Sequence, residues 1–158
     1  MSAHMRILPV LSVLLAVLAL GACGGDDDRD AKNAYVAQVN AAQTEFASTV
    51  TTVSQRITPR SSSAQDRKTL EGFESAIDDV VSKLRDIKVP GDVEAEHKQL
   101  VDAMTGFGAD IKTATVALRN PDTRSIADAQ RGIATATQTV NSRIDAAIAA
   151  INSKLGAK

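Results

Sequence analysis

The chain has 158 residues, which is enough for one domain and too few for two domains of ordinary size. Its 18 basic and 19 acidic residues give a formal net charge of −1, and no run of basic residues indicates nucleic-acid binding. A single cysteine excludes an internal disulfide and a metal site built from cysteines.

The first 22 residues have the composition of a secretory signal peptide. A weakly basic start with His4 and Arg6 precedes a mostly apolar run over residues 7–20. As a helix this run rises only about 21 Å, which is too short to cross a hydrocarbon core of roughly 30 Å. The sequence therefore predicts a signal peptide over residues 1–22.

The apolar run closes on Leu20-Gly21-Ala22-Cys23, in which two small residues separate a leucine from the cysteine. This tetrapeptide resembles the lipobox of bacterial lipoproteins. The resemblance implies cleavage before Cys23, lipidation of its thiol, and a lipid-anchored location on the extracytoplasmic face of the cell membrane. Residues 23–30 are then predicted to be the lipidated cysteine and a flexible acidic tether. The alternative interpretation is an ordinary signal peptide with an incidental cysteine.

Beyond the tether, apolar side chains recur at steps of three and four, which is the spacing of amphipathic helices. The four stripes are Tyr35, Val39, Ala42, Phe46, Val50, Val53 and Ile57; Leu70, Phe73, Ile77, Val80, Leu84 and Ile87; Val93, His97, Leu100, Met104, Phe107, Ile111, Ala114 and Leu118; and Ile126, Ala129, Ile133, Ala136, Val140, Ile144, Ala147, Ile151 and Leu155. No segment of useful length alternates between apolar and polar residues, so strands are not expected.

Breaker and capping residues separate the four stripes. Ser62 and Gln65 have the spacing of a capping box for the second helix, and Asp92 begins the third. Asn120 is predicted to cap the fourth helix, with Pro121 at its first position. Because all the links are short, residues 31–158 are predicted to form an antiparallel up-down-up-down four-helix bundle. The alternatives are an elongated pair of helical hairpins and a three-helix core with the first helix loosely docked.

His97 is the one histidine beyond the predicted signal peptide, and it lies on an apolar stripe. With Glu94 it forms the Glu-x-x-His spacing of di-iron carboxylate bundles, but such sites need two of these motifs and two further carboxylates. We therefore expect no metal or other cofactor. His97 is interpreted as a structural residue at the end of the bundle, where a leucine would be tolerated with a small change in melting temperature.

The segment Gly106-Phe107-Gly108 places two glycines inside a predicted helix, at a cost of about 1 kcal/mol each relative to alanine. A close helix approach or a local bend is the first explanation. The second is a ligand cavity lined by Met104 and Phe107.

No arrangement of nucleophile, base and charge stabiliser is recognisable in the sequence, so an enzyme is not expected. The helical part resembles, in composition, the small helical domains of lipoproteins from high-GC Gram-positive bacteria. The leading hypothesis is a membrane-anchored envelope lipoprotein whose non-catalytic bundle contacts another envelope protein or has a structural role, with no nucleic-acid partner. The alternative is a bundle that binds a small ligand or lipid in a cavity near Met104 and Phe107.

Overall fold

The computed structural model describes residues 26–58, 60–119 and 122–156, and within these ranges it is almost entirely helical, without strands. The elements are α1 (Asp26–Arg56), α2 (Ser63–Asp86), α3 (Glu94–Ala117) and α4 (Thr123–Leu155), with a short 3-10 turn over Gly91–Val93 before α3. The prediction of an all-α bundle is confirmed.

Aromatic contacts give the relative directions of the first three helices. Phe73 of α2 contacts Phe46 of α1 and Phe107 of α3, near the middle of each helix, so the short links make two successive antiparallel hairpins. The pairs Tyr35–His97 and Phe46–Phe107 have nearly the same sequence separation, which requires α1 and α3 to run parallel. With α4 packed along α3, the result is the predicted up-down-up-down bundle.

The two ends of this bundle are distinct. The upper end consists of the links at residues 57–62 and 118–122 together with the helix turns beside them. The lower end consists of the link at residues 87–93, the first turns of α1 and the last turns of α4.

The predicted stripes of α2 and α3 are buried along their whole length. Those of α1 and α4 are buried less completely, because close packing joins α1 to α2, α2 to α3 and α3 to α4, with no comparable approach of α1 to α4 among the described residues. The partly buried apolar side chains of these two outer helices are Val50, Val53, Ile126, Ile133, Ile144 and Ile148, and Ile57 in the link after α1 is also partly buried.

Two helix starts differ from the prediction. Helix α1 already begins at Asp26, so the part of the predicted tether from Asp26 onward is helical rather than flexible. Helix α4 is capped by Asp122 instead of Asn120, and both Asn120 and Pro121 lie outside the described residues. Asp122 succeeds as the cap because its Oδ1 accepts the backbone N–H of Ser125 at 2.6 Å, while the Ser125 hydroxyl accepts the Asp122 N–H at 2.8 Å.

The other helix signals agree with the sequence. Ser62 and Gln65 form the predicted capping box of α2. Helix α4 ends at Leu155 and is capped by Gly156, whose φ of 73° lies in the left-handed region that favours glycine.

Candidate functional site

Cys23, the predicted lipidation residue, lies outside the described residues, as do the signal peptide and the rest of the lipobox. The described chain starts three residues later, at the lower end of the bundle. None of the described helices combines the length and the apolar composition needed to cross a membrane.

Near this lower end, a hydrogen-bonded chain of buried groups joins three helices. The Tyr35 hydroxyl of α1 lies 3.2 Å from Nδ1 of His97 on α3, and Nε2 of His97 lies 2.9 Å from the carbonyl oxygen of Leu84 on α2. A carbonyl can only accept, so Nε2 carries the proton in the neutral imidazole, and Nδ1 accepts the hydrogen bond from the tyrosine hydroxyl. Tyr35 is 1% exposed and His97 is 6% exposed.

The surroundings of Tyr35 keep its hydroxyl protonated. Burial raises the pKa of Tyr35 to about 12, and the nearby negative charge of Glu96 adds to this shift. The pKa of Glu96 is itself lowered, chiefly by the hydrogen bond from Lys154 of α4, whose Nζ lies 2.8 Å from Glu96 Oε1. The buried hydroxyl therefore acts as a hydrogen-bond donor to His97 and does not reach solvent.

The Glu94–His97 spacing does not assemble a metal centre within the described part of the chain. Both ring nitrogens of His97 are already within hydrogen-bond distance of protein atoms, and Glu94 is exposed to solvent. No group of three or more His, Cys, Asp or Glu side chains in the described residues is placed to hold a metal ion.

An open depression of about 390 Å³ lies on the surface beside His97. Its lining residues are Arg85, Val89, Glu94, His97, Lys98 and Val101. Its two cations have protein partners, since Arg85 donates to the Thr105 hydroxyl at 3.4 Å and Lys98 lies 2.6 Å from an Asp102 carboxylate oxygen. The depression therefore presents no cation without a protein contact.

Met104 and Phe107, the residues predicted to line a cavity, are both buried in the apolar core. The Phe107 ring packs edge-on against Phe46 and Phe73, with ring centroids 5.9 and 5.7 Å apart. Such edge-to-face pairs are a favourable packing arrangement for a closed core. The surface depression described above lies beside His97 and has neither residue in its lining.

The two glycines flanking Phe107 have different surroundings. A Cβ added at Gly108 would lie 3.2 Å from Cγ2 of Ile77, so this glycine permits the close approach of α2 and α3. A Cβ at Gly106 would meet nothing within 4 Å. The predicted close helix contact therefore accounts for Gly108, and it does not account for Gly106.

The tyrosine partner of His97 was not predicted from the sequence. The available signal was positional, because Tyr35 near the start of the first helix and His97 near the start of the third must lie at one end of an up-down-up bundle. Which faces of those helices meet depends on their rotation, which periodicity does not specify.

Comparison with known protein families, with curated proteins and with solved structures found no significant match to this chain.

Proposed function

We propose that this protein is an envelope lipoprotein, anchored through Cys23 on the extracytoplasmic face of the membrane, whose bundle acts by contact with another protein and not by catalysis. The observation that carries the proposal is the hydrogen bonding of the buried Tyr35 and His97 side chains to protein groups. The Tyr35 hydroxyl bonds to His97, and His97 bonds to the Leu84 carbonyl, so both ring nitrogens of the histidine are engaged by protein atoms.

The anchoring part of the proposal rests on the lipobox-like sequence and on its distance from the bundle. Cys23 precedes Asp26, the first residue of α1, by three residues, which span at most about 10 Å. A lipid on Cys23 would therefore hold the lower end close to the membrane surface. Helix α1 has 31 residues and a length of about 46 Å, so the upper end would face away from the membrane.

Membrane anchoring makes a contact function effective without a large interface. Confinement to a surface raises the effective concentration of the bundle toward other envelope proteins, so an interface with modest affinity suffices. Stable anchoring requires more than one acyl chain, and the diacylglyceryl group that bacterial lipoproteins carry on this thiol would supply two.

Replacement of Cys23 by serine tests the anchor. We expect Cys23→Ser to leave the membrane fraction and to lose the mass of the lipid, whereas Gly24→Ala, a change at the neighbouring position, should stay in the membrane with its lipid. A Cys23→Ser protein that remains in the membrane with an unchanged N-terminal mass would contradict the lipoprotein proposal.

Crosslinking in intact cells tests the contact function. A reproducible protein partner is expected with the wild-type chain and at reduced yield with Cys23→Ser. If no protein is crosslinked and native mass spectrometry instead finds a bound small molecule, the contact proposal is wrong and a ligand-binding bundle replaces it.

A further inference from the structure

The upper end of the bundle brings together cations that are far apart in the sequence. They come from the last turn of α1, the α1–α2 link, the first turns of α2, the α3–α4 link and the first turn of α4. This upper basic cluster consists of Arg56, Arg60, Lys68, Arg119 and Arg124. All five residues are exposed, and no ion pair engages any of them within the described part of the chain.

The acidic groups near the cluster form no ion pair with its five cations within the described part of the chain. Asp122 accepts hydrogen bonds as the cap of α4, and these bonds lower the pKa of its carboxyl group. Glu71 lies 3.6 Å from Arg67, which is not a member of the cluster. Asp66 is half-buried in the first turn of α2 and forms no ion pair among the described residues.

Cations on the flanks of the bundle are mostly paired. Lys83 lies 2.6 Å from Glu45 Oε1 across α1 and α2, and Lys112 lies 3.7 Å from Glu74 across α2 and α3. Five of the exposed cations without an ion pair in the described residues lie at the upper end, while Arg29, Lys88 and Arg143 are exposed and without an ion pair elsewhere.

The same end carries an exposed apolar side chain. Val116 in the last turn of α3 is 49% exposed, and it is the one large hydrophobic residue that is exposed in the described ranges. It is directly adjacent to the cluster, since its carbonyl oxygen accepts the backbone N–H of Arg119 at 3.1 Å. The upper end therefore presents an apolar side chain beside an arginine, and protein interfaces are enriched in arginine and have an apolar centre.

The aromatic residues argue against a nucleic-acid ligand. Single-stranded nucleic acids are held by exposed aromatic rings on which bases stack. The chain has no tryptophan, and its one tyrosine and three phenylalanines are all buried.

We infer that the upper basic cluster, together with Val116, is a docking surface for an acidic patch of a partner protein. This inference rests on the proposed contact function and specifies the chemistry of the partner. The arginines of the upper basic cluster can form bidentate hydrogen bonds with carboxylates. The surface would face away from the membrane, where partner proteins have access.

A binding measurement on the full-length chain in neutral detergent tests the surface, with poly-L-glutamate as the probe. In the upper variant, Arg60, Arg119 and Arg124 are all changed to glutamate. The control variant makes the same change at three exposed cations elsewhere, Arg29→Glu, Lys88→Glu and Arg143→Glu, and so has the same net charge. We expect the upper variant to bind at least about tenfold more weakly and the control variant to change less than about twofold.

Helix content and melting temperature are measured to establish that both variants are folded. If the upper variant is not folded, a variant with glutamine instead of glutamate at the same three arginines replaces it. Equal weakening in the two variants would show that only net charge matters and would overturn the inference. Tighter binding of polyphosphate or a single-stranded oligonucleotide than of poly-L-glutamate would overturn the choice of an acidic protein.

Photo-crosslinking in cells identifies the partner surface directly. A photoreactive residue at Val116 should crosslink to a protein segment of net negative charge, and this product should disappear in the upper variant. The same residue at Ser82, an exposed position on the flank, should not give it. Equal products from both positions would overturn the inference. Membrane loss of Cys23→Ser is a separate readout, so a failure of anchoring and a failure of this surface can be told apart.

Discussion

Replacing His97 with leucine would leave the Tyr35 hydroxyl buried without a hydrogen-bond acceptor. The sequence alone favoured leucine as a tolerated residue because it continues the apolar stripe of α3. In the structure, however, the imidazole accepts from Tyr35 at 3.2 Å and donates to the Leu84 carbonyl at 2.9 Å. The fold should survive the substitution, but its free energy of unfolding should fall by more than a conservative core change would cause.

The magnitude follows from the groups that lose a partner. An unsatisfied buried hydroxyl costs about 1–3 kcal/mol, and a lost hydrogen bond to a carbonyl costs about 1 kcal/mol. The Leu84 carbonyl keeps a contact with the Ile87 N–H at 3.3 Å, which limits that second loss. We therefore expect His97→Leu to cost about 2–4 kcal/mol, or on the order of 6–16 °C in melting temperature for a domain of this size.

A double-mutant cycle isolates the hydrogen bond. Tyr35→Phe alone should cost about 1–2 kcal/mol, because it removes the donor to Nδ1 of His97. The Tyr35→Phe/His97→Leu protein should be more stable than the sum of the single losses predicts, by about 1–2 kcal/mol, because it leaves no orphaned hydroxyl. Urea unfolding followed by circular dichroism, on a chain beginning at Gly24, measures all three. Gln99→Leu, an exposed polar-to-leucine change two residues from His97, is the control. Additive losses, or a His97→Leu cost no larger than that of Gln99→Leu, would refute the reasoning.

The same chain permits three further tests. The pKa of Tyr35 is about 12 in the folded protein and about 10 in the unfolded chain, so the contribution of this group to stability is complete below pH 10 and is lost between pH 10 and 12. Between these pH values the urea midpoint should therefore fall less in Tyr35→Phe than in the wild type. An equal fall in the two proteins would count against the raised pKa. Gly106→Ala should raise the free energy of unfolding by about 0.5–1 kcal/mol because the added Cβ meets open space. Gly108→Ala should raise it less, or lower it, because the added Cβ lies close to the Ile77 side chain. The reverse ranking of the two urea midpoints would contradict this packing. Asp122→Ala should lower the melting temperature through a loss of about 1 kcal/mol at the α4 cap, and an unchanged value would show that Asp122 does not serve as the cap.

The spacing of apolar residues along the sequence predicted those features of the fold that depend on residues close together in the chain. The apolar stripe residues of α2, from Leu70 to Ile87, and those of α3, from Val93 to Leu118, are buried as predicted. They are buried because these two helices have neighbouring helices on both sides. The capping box at Ser62 was also predictable, since its two partners are three residues apart in the sequence.

Features that depend on tertiary placement were not predictable in the same way. The upper basic cluster combines cations from five separate segments, so no window of the sequence shows it. The hydrogen bond between Tyr35 and His97 requires a particular rotation of α1 against α3, which spacing does not determine. The sequence predicts Asn120 as the α4 cap because Pro121 follows it at the first helical position, and only the observed backbone shows that Asp122 is the cap.

The order of helix packing has a consequence for how the chain folds. Close packing joins each helix to its sequence neighbour, so most of the described native contacts form by closing short links, with little loss of chain entropy. Folding should accordingly be fast, in the microsecond-to-millisecond range typical of helical bundles. Among the described helices, close packing joins α1 to α2, whereas α3 is joined to both α2 and α4. We therefore expect the amide hydrogens of α1 to exchange sooner than those of α3, with α1 separating first from the rest of the bundle.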